Sequence, residues 1–377
     1  MTTPASPPMP ATAASQIPQP TRPAYDGAWI GGLVPALLGG VDASWLPGTV
    51  SGAAGVVLLV LDGLGWTLLD DHRARAPEMA AMEGRPITAV VPSTTAAALT
   101  SIATGAPPGE HGLVGYRIRV AGAPLNVLRW STASGPDPVA AQPVPPFLGT
   151  TPPVVTRSEF RHSGFTVAHL RGGDIIGWKT PSALVEHVRG LASPRRRFVY
   201  AYYDGVDKVA HEYGLRSGFL PAEIAAADRL VGDVRDCLPS SWALLVTADH
   251  GQVHVDADGT VPLDDVSPMV SAYAGEGRLR TLHARPGAAA DLRAACEHSY
   301  GDRAWVFSRD RLFDEGWLGP AAGLEVRGRV GDVVLAAREP VIFLDPDLPQ
   351  EAAMRSHHGS LTPGEMLVPL LAGRGRA

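Results

Sequence analysis

Residues 55–65 read GVVLLVLDGLG. Val56 to Leu61 is an unbroken apolar run, bounded by Gly55 and Gly63. A strand with one wet face alternates apolar and polar residues. One that does not alternate is buried on both faces, as in a parallel sheet covered by helices. The run ends in Asp62, a Gly-rich turn follows, and residues 66–76 read as a helix. Open α/β sheets bind ligands beyond the carboxyl ends of their strands, so Asp62 is a candidate metal ligand. Aspartates also cap helices and form turns, and this strand alone does not choose between the two roles.

The pattern recurs along the chain. Residues 87–91 read as a second buried strand, stopped by Pro92. Residues 94–104 carry Ala, Leu and Ile at helical spacing, and Gly105 ends them. Ser93, Thr94 and Thr95 thus fall at a helix N-terminus, whose free N–H groups favour an anion, although the same residue types serve as ordinary caps. Residues 106–155 are dense in Pro and Gly and read as an insertion near the site, with a hairpin over 116–120 and 126–130 and an extended loop. Alternation then resumes. Strands are expected at 166–170, 198–203 and 243–247, and helices at 181–191 and 221–237. Strands alternating with helices predict an α/β fold, a doubly wound, mostly parallel sheet flanked by helices.

Residues 253–345 change character. Apolar segments at 279–284, 305–308, 333–337 and 341–344 and a helical stretch at 287–298 suggest an inserted smaller α+β subdomain. The core would then be 26–252 and 346–377, closing with a turn, a short helix and an apolar strand. Residues 1–25 are rich in Pro, Ala, Ser and Thr and are expected to form a disordered tail.

Bulk properties narrow the partners. The 377 residues are 45% hydrophobic and 19% charged, enough for a sizeable core. The net charge is −6 with no long basic run, which argues against a nucleic-acid polymer as partner. Cys237 and Cys296 stand alone in helix-like sequence, so a reducing compartment is the simpler inference than a disulfide framework. No apolar run reaches membrane-spanning length, and no basic segment followed by an apolar one resembles a secretory leader. The expectation is a cytoplasmic protein acting on a small molecule, away from membranes.

Chemistry-bearing residues collect just past the buried strands. They are Asp62; Asp207 and His211 in YYDGVDKVAHEYG (202–214); Asp249 and His250 in LLVTADHG (244–251); and His358 in the late HHGS. Asp207 and His211 are four apart and share one face if that stretch is helical. Asp207, His211 and His358 make a three-ligand site with an open position. Asp62, Asp249 and His250 make a second, which a threonine oxygen could complete. Mixed oxygen and imidazole donors suit Zn²⁺, with Mn²⁺ as the alternative. Two metals about 3.5–4 Å apart act jointly in displacement at phosphorus. Metal coordination would also activate a threonine hydroxyl, otherwise a poor nucleophile. His254, His283 and His298 lie outside any such pattern, so histidine alone is not the signal.

The ordered set resembles the alkaline phosphatase superfamily, in particular its type I phosphodiesterase/nucleotide pyrophosphatase branch. The resemblance covers about residues 55–115, 198–252 and 355–371. It rests on LVLDGLG with Asp62, the turn Pro92-Ser93-Thr94-Thr95 with Gly105 and His111-Gly112 after it, Asp207 with His211, Asp249-His250-Gly251, and His358-Gly359. It implies an alkaline-phosphatase-like fold, two zinc ions and Thr95 rather than Thr94 as nucleophile, with a phospho-threonine intermediate hydrolysed by water. The Cys- or Ser-x-Pro-x-Arg signature of sulfatases is absent. Where the branch places an asparagine to hold a phosphoryl oxygen, HGLVGY places Tyr116 as the substrate-binding candidate, which keeps a phosphomonoesterase or phosphomutase-like activity as an alternative, beside a non-catalytic binding protein on the same scaffold. His357 is a rival to His358, and Asp204 to Asp207.

Overall fold

A computed structural model describes residues 19–320 and 322–377. At its centre Gly55–Leu61 is buried at every position and pairs in parallel with Phe198–Tyr203 on one side and Trp242–Thr247 on the other. The full sheet has seven strands in the order Glu83–Thr88, Leu367–Arg374, Trp242–Thr247, Gly55–Leu61, Phe198–Tyr203, Pro153–Arg157, Asp174–Trp178. Leu367–Arg374 runs antiparallel to both its neighbours, and the remaining paired strands run parallel. Helices such as Thr95–Thr104, Pro181–Leu191 and Phe219–Cys237 cover the sheet and share one apolar core with it. This is the expected doubly wound α/β arrangement.

Several elements differ from the sequence reading. The strand expected at 87–91 is Glu83–Thr88, an edge strand exposed along its first four positions. Pro86 is tolerated there because an edge need not donate every ladder hydrogen bond. Residues 166–170 form no strand. They lie in the helix Gly164–Leu170, started by the Ser163 hydroxyl accepting from the Thr166 N–H at 3.0 Å. The cap and the packing override the weak β preference of Thr166 and Val167. The strand itself is Pro153–Arg157, within the stretch assigned to the insertion, so the excursion ends before 153. Its hairpin is Arg117–Val120 with Ala123–Asn126, so the first strand stands nearly as expected while the second precedes the expected 126–130. It turns at Ala121 and Gly122, both with positive φ, as a two-residue hairpin turn requires. The helix expected over 66–76 stops at Asp71.

Of the expected tail, residues 1–18 lie outside the described residues. Residues 19–25 are tied down instead of free. The Thr21 N–H donates to Leu361 O at 2.8 Å, Arg22 lies over the Trp317 ring, and the Tyr25 hydroxyl donates to Trp317 O.

Within 253–345 a four-stranded antiparallel sheet runs in the order Val270–Glu276, Leu279–Ala284, Val333–Ala337, Ala304–Ser308, backed by Ala289–Tyr300 around a second small core. Val270–Glu276 was not anticipated, and Ile342–Phe343 pairs with Thr260–Val261 instead of joining this sheet. The unit is anchored to the main core by Arg278, fully buried, whose Nε and Nη2 reach Glu365 at 2.7 and 2.9 Å and whose Nη1 donates to Glu339 O and Val341 O. Removing one member of a buried ion pair strands the other charge. Arg278→Ala is therefore expected to lower unfolding free energy by about 3–5 kcal/mol, read as a fall in the urea midpoint.

Candidate functional site

Three adjacent parallel strands deliver the acids. Asp62 ends Gly55–Leu61, Asp249 follows Trp242–Thr247, and Phe198–Tyr203 leads into the helix Gly205–Tyr213, which carries Asp207 and His211 on one face. His250 follows Asp249 directly, and His358 follows the short strand Ser356–His357. Thr95 is the first residue of Thr95–Thr104, with Thr94 extended before it at φ −132°. These residues converge. His250 Nε2 lies 3.1 Å from Thr95 Oγ1, 3.4 Å from Asp62 Oδ1 and 3.5 Å from Asp249 Oδ2. His211 Nε2 is 3.3 Å from Asp207 Oδ1, and the His250 and His358 rings stack with centroids 3.6 Å apart.

Two triads have ligand atoms mutually within 4.8 Å: Asp207, His211 and His358, and Asp62, Asp207 and His250. Asp207 belongs to both, so the two sites expected from sequence form one continuous centre, with Asp249 joined to it through His250.

The shell around the centre orients its donors. The outer nitrogen Nδ1 of each imidazole sits on a backbone carbonyl: Gly251 O for His250, Ser356 O for His211 and Ser93 O for His358, at 3.1, 2.7 and 3.0 Å. A carbonyl only accepts, so each Nδ1 holds the proton and each Nε2 lone pair faces inward. Burial, then Asp249 and Asp207, holds the Asp62 carboxyl well above the usual carboxylate range. Burial likewise raises Asp249 against the pull of His250. Burial also opposes ionisation of Asp207, but His211, His358 and His250 outweigh it and hold that group low. Among the described residues, Asp62 Oδ1 and Asp249 Oδ2 are buried without a hydrogen-bond partner. Orphaned carboxylate oxygens crowded against inward imidazole lone pairs are what divalent cations satisfy, so these residues fit such ions.

Other residues complete the centre that sequence reasoning passed over. The Tyr202 hydroxyl donates to Asp62 Oδ2, and Gln252 Nε2 donates to Asp207 Oδ1 at 2.9 Å, with the Ser356 hydroxyl fixing the Gln252 carbonyl. Gln252 had a signal, since it directly follows Asp249-His250-Gly251. Tyr202 had none, being one more bulky residue in a strand read as apolar. Asp204 is occupied by Arg157 at 2.7 Å and Lys208 at 2.6 Å. His357 Nε2 lies on Met354 O at 3.3 Å, outside both triads. His111 is a buried pin. Its Nδ1 accepts from the Leu113 N–H, so its Nε2 donates to Ser101 Oγ, and burial pushes the imidazole down to about 3.

Two cavities meet at Thr95, Leu128 and Asp207. One, of about 190 Å³, is walled by Leu99, Phe160, Phe165, Leu170 and Tyr202. The other, of about 420 Å³, carries more polar groups, among them Tyr116, Asn126, Arg129, Glu276, Gln350 and Glu351. Tyr116 stands at its wall, and its hydroxyl oxygen accepts from Asn126 Nδ2 at 2.7 Å, leaving its proton free to donate.

No curated protein matches this sequence. Solved structures do resemble the fold. Murine ectonucleotide pyrophosphatase/phosphodiesterase 5 is 14% identical with a TM-score of 0.67, over 86% of this chain and 88% of that one. The same murine protein as an inactive threonine-to-alanine variant in complex with AMP gives 14% and 0.66, over 84% and 87%. The human counterpart gives 14% and 0.62, over 86% and 88%. At that identity the likeness speaks for the fold. The family of type I phosphodiesterases/nucleotide pyrophosphatases matches residues 56–188 and 150–361, well over half of the chain. The chain belongs to this family, and with it to the hydrolases of phosphodiester and pyrophosphate bonds.

Proposed function

We propose that the chain hydrolyses phosphodiester or pyrophosphate bonds of small, nucleotide-like molecules by attack of Thr95 on phosphorus. The observation that carries this is the Thr95 hydroxyl, placed at a helix N-terminus and 3.1 Å from His250 Nε2 amid the converging acids. Asp62, Asp249 and His250, with Thr95 Oγ1, would hold one divalent cation, and Asp207, His211 and His358 the other. Zn²⁺ suits this mixed donor set, with Mn²⁺ as the alternative. Bound there, such ions supply Lewis acidity that lowers the hydroxyl pKa and neutralises phosphoryl charge.

The chain's own groups do the rest. The first N–H groups of Thr95–Thr104 have no partner within the helix and face the incoming phosphoryl oxygens. The Tyr116 hydroxyl, held through its oxygen by Asn126, donates its free proton to another. As the Thr95 O–P bond forms, the hydroxyl proton passes to water, the bond to the departing alcohol or phosphate breaks, and that oxygen takes a proton back from water. Water then cleaves the phospho-threonine and restores the hydroxyl. The murine neighbour, inactive as a threonine-to-alanine variant and binding AMP in that form, supports both a threonine in this role and a nucleotide-like substrate. A second reading, monoester hydrolysis, is favoured by Tyr116 standing in place of the expected asparagine. A phosphomonoester assayed beside a diester separates the two.

Thr95→Ala is expected to keep its metal and lose at least about a thousandfold in turnover of bis(p-nitrophenyl) phosphate; wild-type turnover would remove Thr95 as nucleophile. His211→Ala should lose about one metal equivalent by elemental analysis, and unchanged content would remove His211 as a ligand. Tyr202→Phe strips a donor from Asp62 and should weaken metal binding by about 10–100-fold, measured by titration against a competing chelator.

A further inference from the structure

Three charged residues alternate along one hairpin of the inserted unit: Glu276, Arg278 and Arg280, all buried. Arg278 closes on Glu365. Arg280 closes on Glu351 and lies 3.7 Å from Asp345, which also takes Arg117. Glu276 faces none of these cations at ion-pair distance. Its Oε2 accepts from the Tyr116 N–H at 3.3 Å, the Thr94 hydroxyl stands beside the carboxyl and favours its charged form, and Oε1, although buried, has no hydrogen-bond partner among the described residues. Leaving a buried carboxyl oxygen unsatisfied is costly.

The fold makes room for this residue. Gly359 follows His358 with φ +124°, and a Cβ there would come within 2.6 Å of Glu276 Cγ. The loop that carries His358 is therefore shaped around the Glu276 stem. Glu276 also borders the larger cavity, of about 420 Å³, shared by Thr94, Thr95, Tyr116 and Asn126. Among the described residues, neither metal-holding triad includes it.

We propose that Glu276 determines specificity by accepting, on its free carboxyl oxygen, a hydrogen bond from a hydroxyl or amine on one alcohol arm of a phosphodiester. This rests on the phosphodiesterase reading above and deepens it. The favoured substrate is an unsymmetrical diester. Its donor-bearing arm enters the larger cavity, where Glu276, Tyr116 and Asn126 stand, and its flat or apolar arm enters the cavity walled by Phe160 and Phe165. Burial pushes the Glu276 carboxyl up to about 8, and a carboxyl keeps an accepting oxygen in either protonation state.

The test uses the metal-loaded full chain and two substrates of equal heavy-atom count, the hydroxypropyl and butyl esters of p-nitrophenyl phosphate. Wild type is expected to favour the hydroxypropyl ester in kcat/KM by about tenfold. Glu276→Gln, whose one oxygen stays on the Tyr116 N–H, puts an amide donor where the free oxygen stood and should lose the preference. Glu276→Met, which keeps the shape without the acceptor, should bring the ratio to about one, and Glu276→Ala gives the same readout if the Met variant does not fold. A wild-type ratio near one, or a preference that survives in Gln, Met or Ala, overturns the assignment. Wild type that holds metal and cleaves neither ester overturns the phosphodiesterase reading itself, and this proposal with it.

Discussion

Asp62, Asp207 and Asp249 are three carboxylates brought together where water hardly reaches, and their mutual repulsion is the constraint that the rest of the site answers. Asp62 and Asp249 are held above the usual carboxylate range by burial and then by neighbouring carboxylate charge, Asp207 acting on both, while Asp207 is kept low by the imidazoles facing it. The surrounding groups share one logic. Tyr202, Gln252 and the Gly63 N–H each donate to one carboxylate oxygen. That leaves Asp62 Oδ1 and Asp249 Oδ2 facing inward without a donor. A fold selected only for stability would replace such a cluster with apolar residues, because repulsion in a low dielectric is expensive. Its presence signals a function that supplies positive charge.

The sheet explains how distant residues meet. Asp62, the Asp249-His250 pair and the helix carrying Asp207 follow three neighbouring parallel strands, so they emerge at the same edge. The turn after Asp62 must be tight. Gly63 has φ +73°, and a Cβ there would strike Gln252 Nε2 at 2.4 Å and the Asp207 backbone at 3.0 Å. Glycine at that position therefore sets how close two of the acids approach. Thr95 arrives from outside this trio. Its helix is made of small residues that let it pack closely, and Gly105 in the left-handed region stops it.

What could be read in advance follows from the same physics. The strands Gly55–Leu61, Phe198–Tyr203 and Trp242–Thr247 were legible because double-sided burial demands unbroken apolar runs. The Asp207–His211 spacing was legible because a helix repeats nearly every four residues. Glu83–Thr88 was misplaced because an edge strand needs no apolar pattern. Residues 166–170 were misread because a serine cap and tertiary packing decided them. Val270–Glu276, rich in small and polar residues, gave no strand signal, so Glu276 was invisible as a site residue. Nor could spacing show that Asp207 belongs to both triads, since that depends on how two neighbouring strand ends converge in space.

The reacting centre belongs to the core, but the walls around it come from elsewhere. Tyr116 and Asn126 come from the segment after Thr95–Thr104, Glu276 from the inserted unit, and Glu351 from the stretch just after it that leads to His358. These walls are fixed to the centre by buried contacts, not by flexible linkers. Arg278 ties the subdomain to Glu365, and Glu365 in turn accepts from the Ser360 N–H, two residues past His358. The same short segment therefore carries a metal-ligand candidate, the glycine that seats Glu276, and the anchor for the subdomain. A shift of the inserted unit would move a ligand candidate and the cavity wall together. The cavity wall and the candidate metal centre are thus mechanically linked, although the residues responsible lie more than eighty positions apart in the chain.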